Sequence, residues 1–223
     1  MTENKLAHIN TNDGTSTLYS SKYKAHYHSL FGSFTESKHI FIDAGLAHIN
    51  KKEISVLEIG LGTGLNAALT AQWANANSKR VNYHAIELHP LSPEHIKQLN
   101  YKDLLDGDAS AFWEQICNAS WESEQPIGEH FCLLKQNTDF TQWQPNRKYN
   151  LVYFDAFGPD DQPEMWTVNQ FTKIYNALLP QSILVTYSVK GMVKRALREV
   201  GFTIERLDGP PGKKHILRAT KAH

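Results

Sequence analysis

The sequence predicts an α/β fold: a mostly parallel sheet of seven strands, flanked by helices and closed by a C-terminal antiparallel hairpin. Three observations predict it. From about residue 54, apolar β-branched runs alternate with stretches of helical spacing, the signature of strands buried on both faces by helices. The first run, "EISVLEIG", ends in a cluster of glycines at a strand-to-helix turn. The last two runs are separated only by the turn-rich "DGPPGK", which reads as a hairpin.

Each element follows from its residues. After "EISVLEIG", Leu65, Leu69 and Trp73 give "GLNAALTAQWANAN" helical spacing. "RVNYHAIEL" is a second strand, and "LSPEHIKQLN" a helix with Ser92 as N-cap and Pro93 at its first position. "DASAFWEQICNA" is a helix and "HFCLLKQN" a third strand. "YNLVYFDAF" is a fourth strand, and "NQFTKIYNALL" a helix closed by Pro180. "SILVTYS" is a fifth strand, "KGMVKRALREV" a helix, and "FTIERL" and "KHILRAT" the closing pair. Residues 1–50, rich in Tyr, His and Ser with weak periodicity, read as an N-terminal extension packed on the 51–223 domain.

Composition limits the function. At 223 residues, one α/β domain is expected. Lys+Arg and Asp+Glu balance at 23 each, so no global basic field announces a polyanion. Two distant cysteines, Cys117 and Cys132, argue against a disulfide scaffold and for a reducing cytoplasm. The polar N-terminus lacks a signal core, and no run approaches the ~20 apolar residues of a membrane span. The histidines lack metal-ligand spacing, so no metal is expected. Charge is nevertheless uneven. Seven acidic residues and no Lys or Arg lie in 103–130, whereas nine basic residues face three acidic ones from Lys190 onward, a net of +6.

The glycine loop narrows the ligand. "VLEIGLGTGLN" places Glu58 before Gly60, Gly62 and Gly64. A dinucleotide fingerprint would need glycine where Leu65 stands, and a phosphate loop would need a Lys-Ser/Thr pair where Asn66 and Ala67 follow. E-x-G-x-G-x-G is instead the pattern of Rossmann-like class I methyltransferases that bind S-adenosylmethionine. Glu87, ending the second strand, is positioned to accept hydrogen bonds from both ribose hydroxyls. Asp139, after the third strand, is the candidate for the adenine amino group. Glu58, Gly60, Gly62, Gly64, Asn66, Glu87, Asp139 and Asp155 together form the expected cofactor site along the carboxyl ends of the strands.

The fourth strand ends in "FDAFGPDDQPEMWT". Amine methyltransferases place an Asp or Asn here, followed by proline and an aromatic. Asp155 is therefore the candidate catalytic residue, Phe157 the base-stacking residue, and Pro159 and Pro163 the stiffeners of the loop. An attacking amine must be neutral, yet an alkylamine with a pKa near ~10.4 is mostly protonated at neutral pH. A carboxylate at this point can orient it and take its proton.

"DGTSTLYSSKYKAHYHSLFGSFTESKHIFI", "VLEIGLGTGLN", "FDAFGPDDQPEMWT" and "GMVKRALREVGFTIERLDGPPGKKHIL" together resemble the methyltransferase half of the bifunctional bacterial tRNA wobble-uridine enzyme, in a stand-alone form without the flavin-dependent oxidase domain. The similarity runs from about Asp13 to Ala219. It implies N-methylation of 5-aminomethyl-2-thiouridine in tRNA, with Glu58, the loop glycines, Glu87, Asp139 and Asp155 around the cofactor and reaction site. Family loops often carry Phe where this chain has Leu61, and a Gly-Asp pair where it has Thr138-Asp139. Binding a polyanion then requires local charge. Lys194, Arg195 and Arg198 on one helix, with Lys190 before it, and Lys213 and Lys214 in the hairpin turn are expected to form one basic patch that binds tRNA. A monomer is favoured.

Other readings follow from the same residues. A small-amine or polyamine transferase would share the fold and the fourth-strand Asp loop. A non-catalytic RNA-binding Rossmann module would not need Glu58, Glu87 and Asp155 intact. His28 beside Ser29 invites a hydrolase reading, but no G-x-S-x-G elbow is present. Trp143 and Trp166 read as core or loop anchors.

Overall fold

A computed structural model of the protein describes residues 4–222; residues 1–3 of the expected extension, and His223, lie outside the described residues. The chain opens with three short antiparallel strands, β1 (Leu6–Asn10), β2 (Ser16–Ser20) and β3 (Ala25–His26). Helix α1 (Ser33–Ser37) runs into a π-helical turn, Lys38–Asp43. Then follow β4 (Glu53–Ile59), α2 (Leu65–Ala76), β5 (Arg80–Glu87), α3 (Pro93–Gln98), α4 (Tyr101–Leu104) and α5 (Ala109–Asn118). The chain continues through β6 (Glu124–Ile127), β7 (Phe131–Asn137), β8 (Tyr149–Phe154), α6 (Val168–Ala177) and β9 (Leu178–Thr186). It closes with α7 (Gly191–Val200), β10 (Phe202–Asp208) and β11 (His215–Lys221).

Strand order in the main sheet is β10-β11-β9-β8-β4-β5-β7-β6. The five central strands are mutually parallel, and β10 and β11 form the expected antiparallel hairpin, with β11 antiparallel to β9. Neighbouring residues of the central strands enter opposite cores. Val56, Tyr83, Leu151 and Tyr153 face the core shared with α2, α5 and the N-terminal segment. Leu57, Ile86, Val152 and Phe154 face the core of α6 and α7. That division is why every residue of β8 is buried, and why its sequence shows no polar alternation.

Two features depart from the expected seven strands. An eighth, β6, pairs antiparallel with β7 at the sheet edge; with Pro126 inside it, the run "EQPI" carries no strand pattern, and an edge is where proline is tolerated. The fifth strand also starts earlier. Leu178 pairs with Tyr149, so β9 runs through Pro180, where the register shifts and Gln181 takes a φ of 60°. The helical spacing that carried α6 as far as Leu179 yields there to sheet pairing.

The sheet order positions the site. From β4 the chain moves outward through β5 and β7, then returns to β8 on the other side of β4. The connections on the two sides leave a crevice at the carboxyl ends of β4 and β8, where open α/β sheets bind ligands.

Candidate active site

Three strand ends converge at this crevice. Gly60 N donates to Ile86 O at 2.9 Å and Asp155 N donates to Ile59 O at 3.0 Å, so β4, β5 and β8 finish together. Gly60 has a φ of +91°, and a Cβ there would stand 2.7 Å from the carbonyl oxygen of Asp155. Only glycine lets the loop pass so close. Gly62, also left-handed, donates its N–H to Glu87 Oε2 at 3.0 Å. Glu87 Oε1 accepts from His89 N at 2.7 Å. The acid thus ties loop to strand tip, while a carboxylate's four lone-pair sites leave room for two more donors.

Above these ends lies a cleft of about 560 Å³, a size suited to a cofactor and one reacting group. Gly60, Gly62, Glu87, Asp139, Asp155, Phe157 and Lys213 line it. Asp139 Oδ1 accepts from the backbone N–H and the hydroxyl of Thr141, both at 2.7 Å, so it forms a local turn and still faces the cleft. Asp155 is half-buried. Burial, reinforced by the neighbouring Glu36 carboxylate, pushes its carboxyl up to about 7, against hydrogen bonding from Asn66 and the charge of Lys213.

Other expected site residues lie elsewhere. Glu58 is fully buried beneath the cleft, where Asn66 Nδ2 donates to Glu58 Oε1 at 2.9 Å and to Asp155 Oδ2 at 2.8 Å. Burial pushes the Glu58 carboxyl well above the usual range, and the residue belongs to a buried network beneath the cleft rather than to its lining. Asn66 is likewise beneath, as the amide that joins the two acids. Gly64 caps α2 at φ 77° against Ile116 and Trp113 and lines a separate small cavity behind the loop. Pro159 is buried in its own loop and does not line the cleft.

The basic residues divide. Lys194, Arg195 and Arg198 lie on α7, with Arg195 and Arg198 exposed, and Lys214 is exposed in the hairpin turn. Lys213 instead turns into the cleft. Its Nζ meets Glu36 Oε1 at 3.3 Å and lies 4.9 Å from the ring centroid of Tyr187. Lys190 is paired with Asp160. The expected six-residue patch therefore loses Lys213 to an almost buried carboxylate and an aromatic face.

Sequence reasoning missed the roof of the cleft. Tyr23 stacks on Phe157 with centroids 4.4 Å apart, and Tyr27 meets the same ring edge-on at 5.1 Å. One face of Phe157 is thus taken by Tyr23. Lys22 bonds His89 Nε2 at 2.8 Å, joining the β2–β3 turn to the tip of β5. The signal was the run "YSSKYKAHYHSLF", aromatic yet without core periodicity. Trp166, 1% exposed, donates its Nε1 to Phe157 O at 2.8 Å, and so anchors the loop as expected. Trp143 is buried in the α6–α7 core. Among the described residues, no group of three or more His, Cys, Asp or Glu is placed to hold a metal ion. Nor is any described helix long and apolar enough to cross a membrane.

The residues fit S-adenosylmethionine: a close glycine turn without phosphate ligands, an acid at the β5 tip, and a second carboxylate beyond it at the β8 tip. Comparison agrees. The family model of S-adenosyl-L-methionine-dependent methyltransferases matches residues 132–222. The crystal structure of MnmC2 from Aquifex aeolicus superposes with a TM-score of 0.82 at 25% identity, covering 99% of this chain and 72% of that one. Spermidine synthase from Thermotoga maritima, at 12% identity and a TM-score of 0.58, shares the fold over all of this chain and 71% of its own. The fold is that of the class I S-adenosylmethionine-dependent methyltransferases.

Within that class, the chain resembles the methyltransferase half of the tRNA 5-methylaminomethyl-2-thiouridine biosynthesis bifunctional protein MnmC. The protein of that name from Cupriavidus necator is 30% identical over 210 residues, covering 87% of this chain and 31% of the relative. That from Paraburkholderia phymatum is 28% identical over 217 residues, covering 90% and 33%. The chain spans about a third of the length of these curated relatives.

Proposed function

We propose that the chain methylates the exocyclic amine of 5-aminomethyl-2-thiouridine at the tRNA wobble position, giving 5-methylaminomethyl-2-thiouridine. The observation that carries this reading is Asp155, a half-buried carboxyl near pKa 7 at the β8 tip, heading the "DAFGPDDQPEMWT" loop. The relatives named for this modification support it.

In this reading Gly60 and Gly62 let the backbone approach the cofactor, Glu87 accepts its ribose hydroxyls, and Asp139 faces its adenine. When bound, the cofactor supplies an electrophilic methyl group on a sulfonium. Asp155 receives the substrate's ammonium, holds it in line and takes one proton, a task suited to a base titrating near the working pH. Phe157, fixed by Tyr23 and Trp166, walls the base pocket. Lys194, Arg195, Arg198 and Lys214 meet tRNA phosphates, and residues 1–50 roof the same domain. The protein acts in the cytoplasm as a monomer.

Glu36, Asp155, Asp161 and Glu164 also line the cleft, an acidity that would suit a free polyamine. One experiment separates the two. The protein is incubated with methyl-labelled cofactor and either tRNA from cells lacking it or spermidine, and nucleosides are analysed. Label in 5-methylaminomethyl-2-thiouridine is expected. Label in spermidine alone would replace this reading with the polyamine one.

A further inference from the structure

The reaction end of the cleft holds a second carboxylate from a distant part of the chain. Glu36 on α1 is 8% exposed, and its Oε2 accepts from Ser29 N at 2.6 Å. Its Oε1 meets Lys213, whose Nζ sits over the Tyr187 ring. Tyr187 in turn donates its hydroxyl to Ala156 O at 2.8 Å, on the residue after Asp155. The N-terminal helix, the hairpin turn and the β8 loop thus meet around Tyr187, and Glu36, Lys213 and Asp155 line one cleft. A carboxylate so far from water is costly unless its lone pairs are used. Two of the four sites on Glu36 have partners, which leaves capacity for a donor arriving through the cleft.

We propose that Glu36 is the second acceptor of the amine subsite, and that Glu36 and Asp155 together restrict the enzyme to a single methyl transfer. This rests on the proposed function. Asp155 takes one proton from the bound ammonium, leaving a neutral amine with two N–H bonds and a lone pair. Glu36 and the acceptor oxygen left on Asp155 each receive one N–H, which turns the lone pair toward the sulfonium methyl. The N–C bond forms as the S–C bond breaks, with the S–C electron pair staying on sulfur. The product leaves as a secondary ammonium, and Asp155 returns its proton to water. A second transfer would need the lone pair in the same direction. The neutral secondary amine has only one N–H, so its methyl group would face one of the two acceptors and leave it unsatisfied.

Glu36 also sets the base. Its charge raises the Asp155 carboxyl, closer to the amine it must deprotonate, while Lys213 lowers it. The other groups facing Asp155 are Tyr187 and Asp161 along the cleft, and Tyr83 and Glu58 beneath it, Glu58 through Asn66.

The test compares the native chain, Glu36→Leu, which removes both the acceptor and the charge, and Lys213→Met on tRNA bearing the aminomethyl group. It reads kcat/KM against pH, the methylation state of the nucleoside by mass spectrometry, and equilibrium binding of the aminomethyl stem-loop without cofactor. For Glu36→Leu we expect kcat/KM ~10-fold lower, the acid limb moved to lower pH, a new dimethylated nucleoside, and weaker stem-loop binding. Lys213→Met should move the limb the opposite way and keep one methyl. A folded Glu36→Leu protein with the native limb and a purely monomethylated product overturns the proposal. If Glu36→Leu does not fold, the direction of the Lys213→Met limb decides, and an unmoved limb overturns it. A native chain that labels no tRNA overturns the proposed function as well.

Discussion

Asn66 presents one amide nitrogen to two carboxyls, Glu58 and Asp155, and both acids are displaced upward. Asp155→Ala should lower turnover ~100-fold or more if the carboxylate both positions and deprotonates the amine. Asp155→Asn keeps an acceptor but no base, so near-native turnover in Asn with collapse in Ala would assign the effect to positioning. The same raised pKa has a thermodynamic sign. Between 3.8 and about 7 the folded chain holds a proton on Asp155 that the unfolded chain releases. This contribution to stability is full at low pH and is lost as pH rises, with a slope of up to ~1.4 kcal/mol per pH unit. Denaturant melts across that range should show native stability falling with pH relative to Asp155→Asn; parallel curves would contradict it. At Glu87, replacement by Ala should remove ribose hydrogen bonds and the Gly62 tie. Calorimetry should then show cofactor binding weaker by ~1.5–3 kcal/mol. Glu87, Asp139 and Asp155 were legible because strand ends can be read from a strand's own residues. The pairing of Glu36 with Lys213 was not, because the two lie 177 residues apart in the chain and no local pattern encodes that meeting.

Elements show the same division. The glycine loop and the β8 loop were visible as turn chemistry next to apolar runs, and the Ser92 cap is as the residues predict, accepting from His95 N. What could not be seen was pairing imposed from outside. β9 extends through Pro180 because Tyr149 offers a partner across the sheet, and β6 exists only because β7 has a free edge. The contact between Gly60 and the Asp155 carbonyl is likewise tertiary, though the glycine itself was legible. Gly60→Ala combines a left-handed φ with a 2.7 Å approach to that carbonyl. It should cost ~1–3 kcal/mol in strain and push the loop away from β8. Thermal melting and cofactor titration should both register the change. An unchanged melting temperature with native cofactor affinity would show that the loop relaxes freely.

Across the whole molecule the sheet separates charge. The acidic 103–130 segment contains α5 and β6, and β6 is one edge of the sheet; the basic α7 and the β10–β11 hairpin lie toward the other edge. A chain with no net charge can in this way offer a polyanion one attractive side. tRNA affinity should fall with log salt at a slope of ~0.7–0.9 per phosphate contact. Replacing Lys194, Arg195 and Arg198 with Ala should weaken binding and flatten the slope, with cofactor affinity unchanged. Normal binding by the triple variant at every salt concentration would move the RNA surface elsewhere.

The roof of the cleft is held from far along the chain. Ser16 is bonded to Asn100 and Tyr101, His39 to the carbonyl of Asp208, Arg218 to that of Ala44, and Glu36 to Lys213. During synthesis, then, the β1–β3 segment leaves the ribosome well before the β10–β11 hairpin against which it is held. Contacts of such long sequence separation form late. The glycine loop is thus synthesised well before the hairpin whose Lys213 closes the far end of the same cleft.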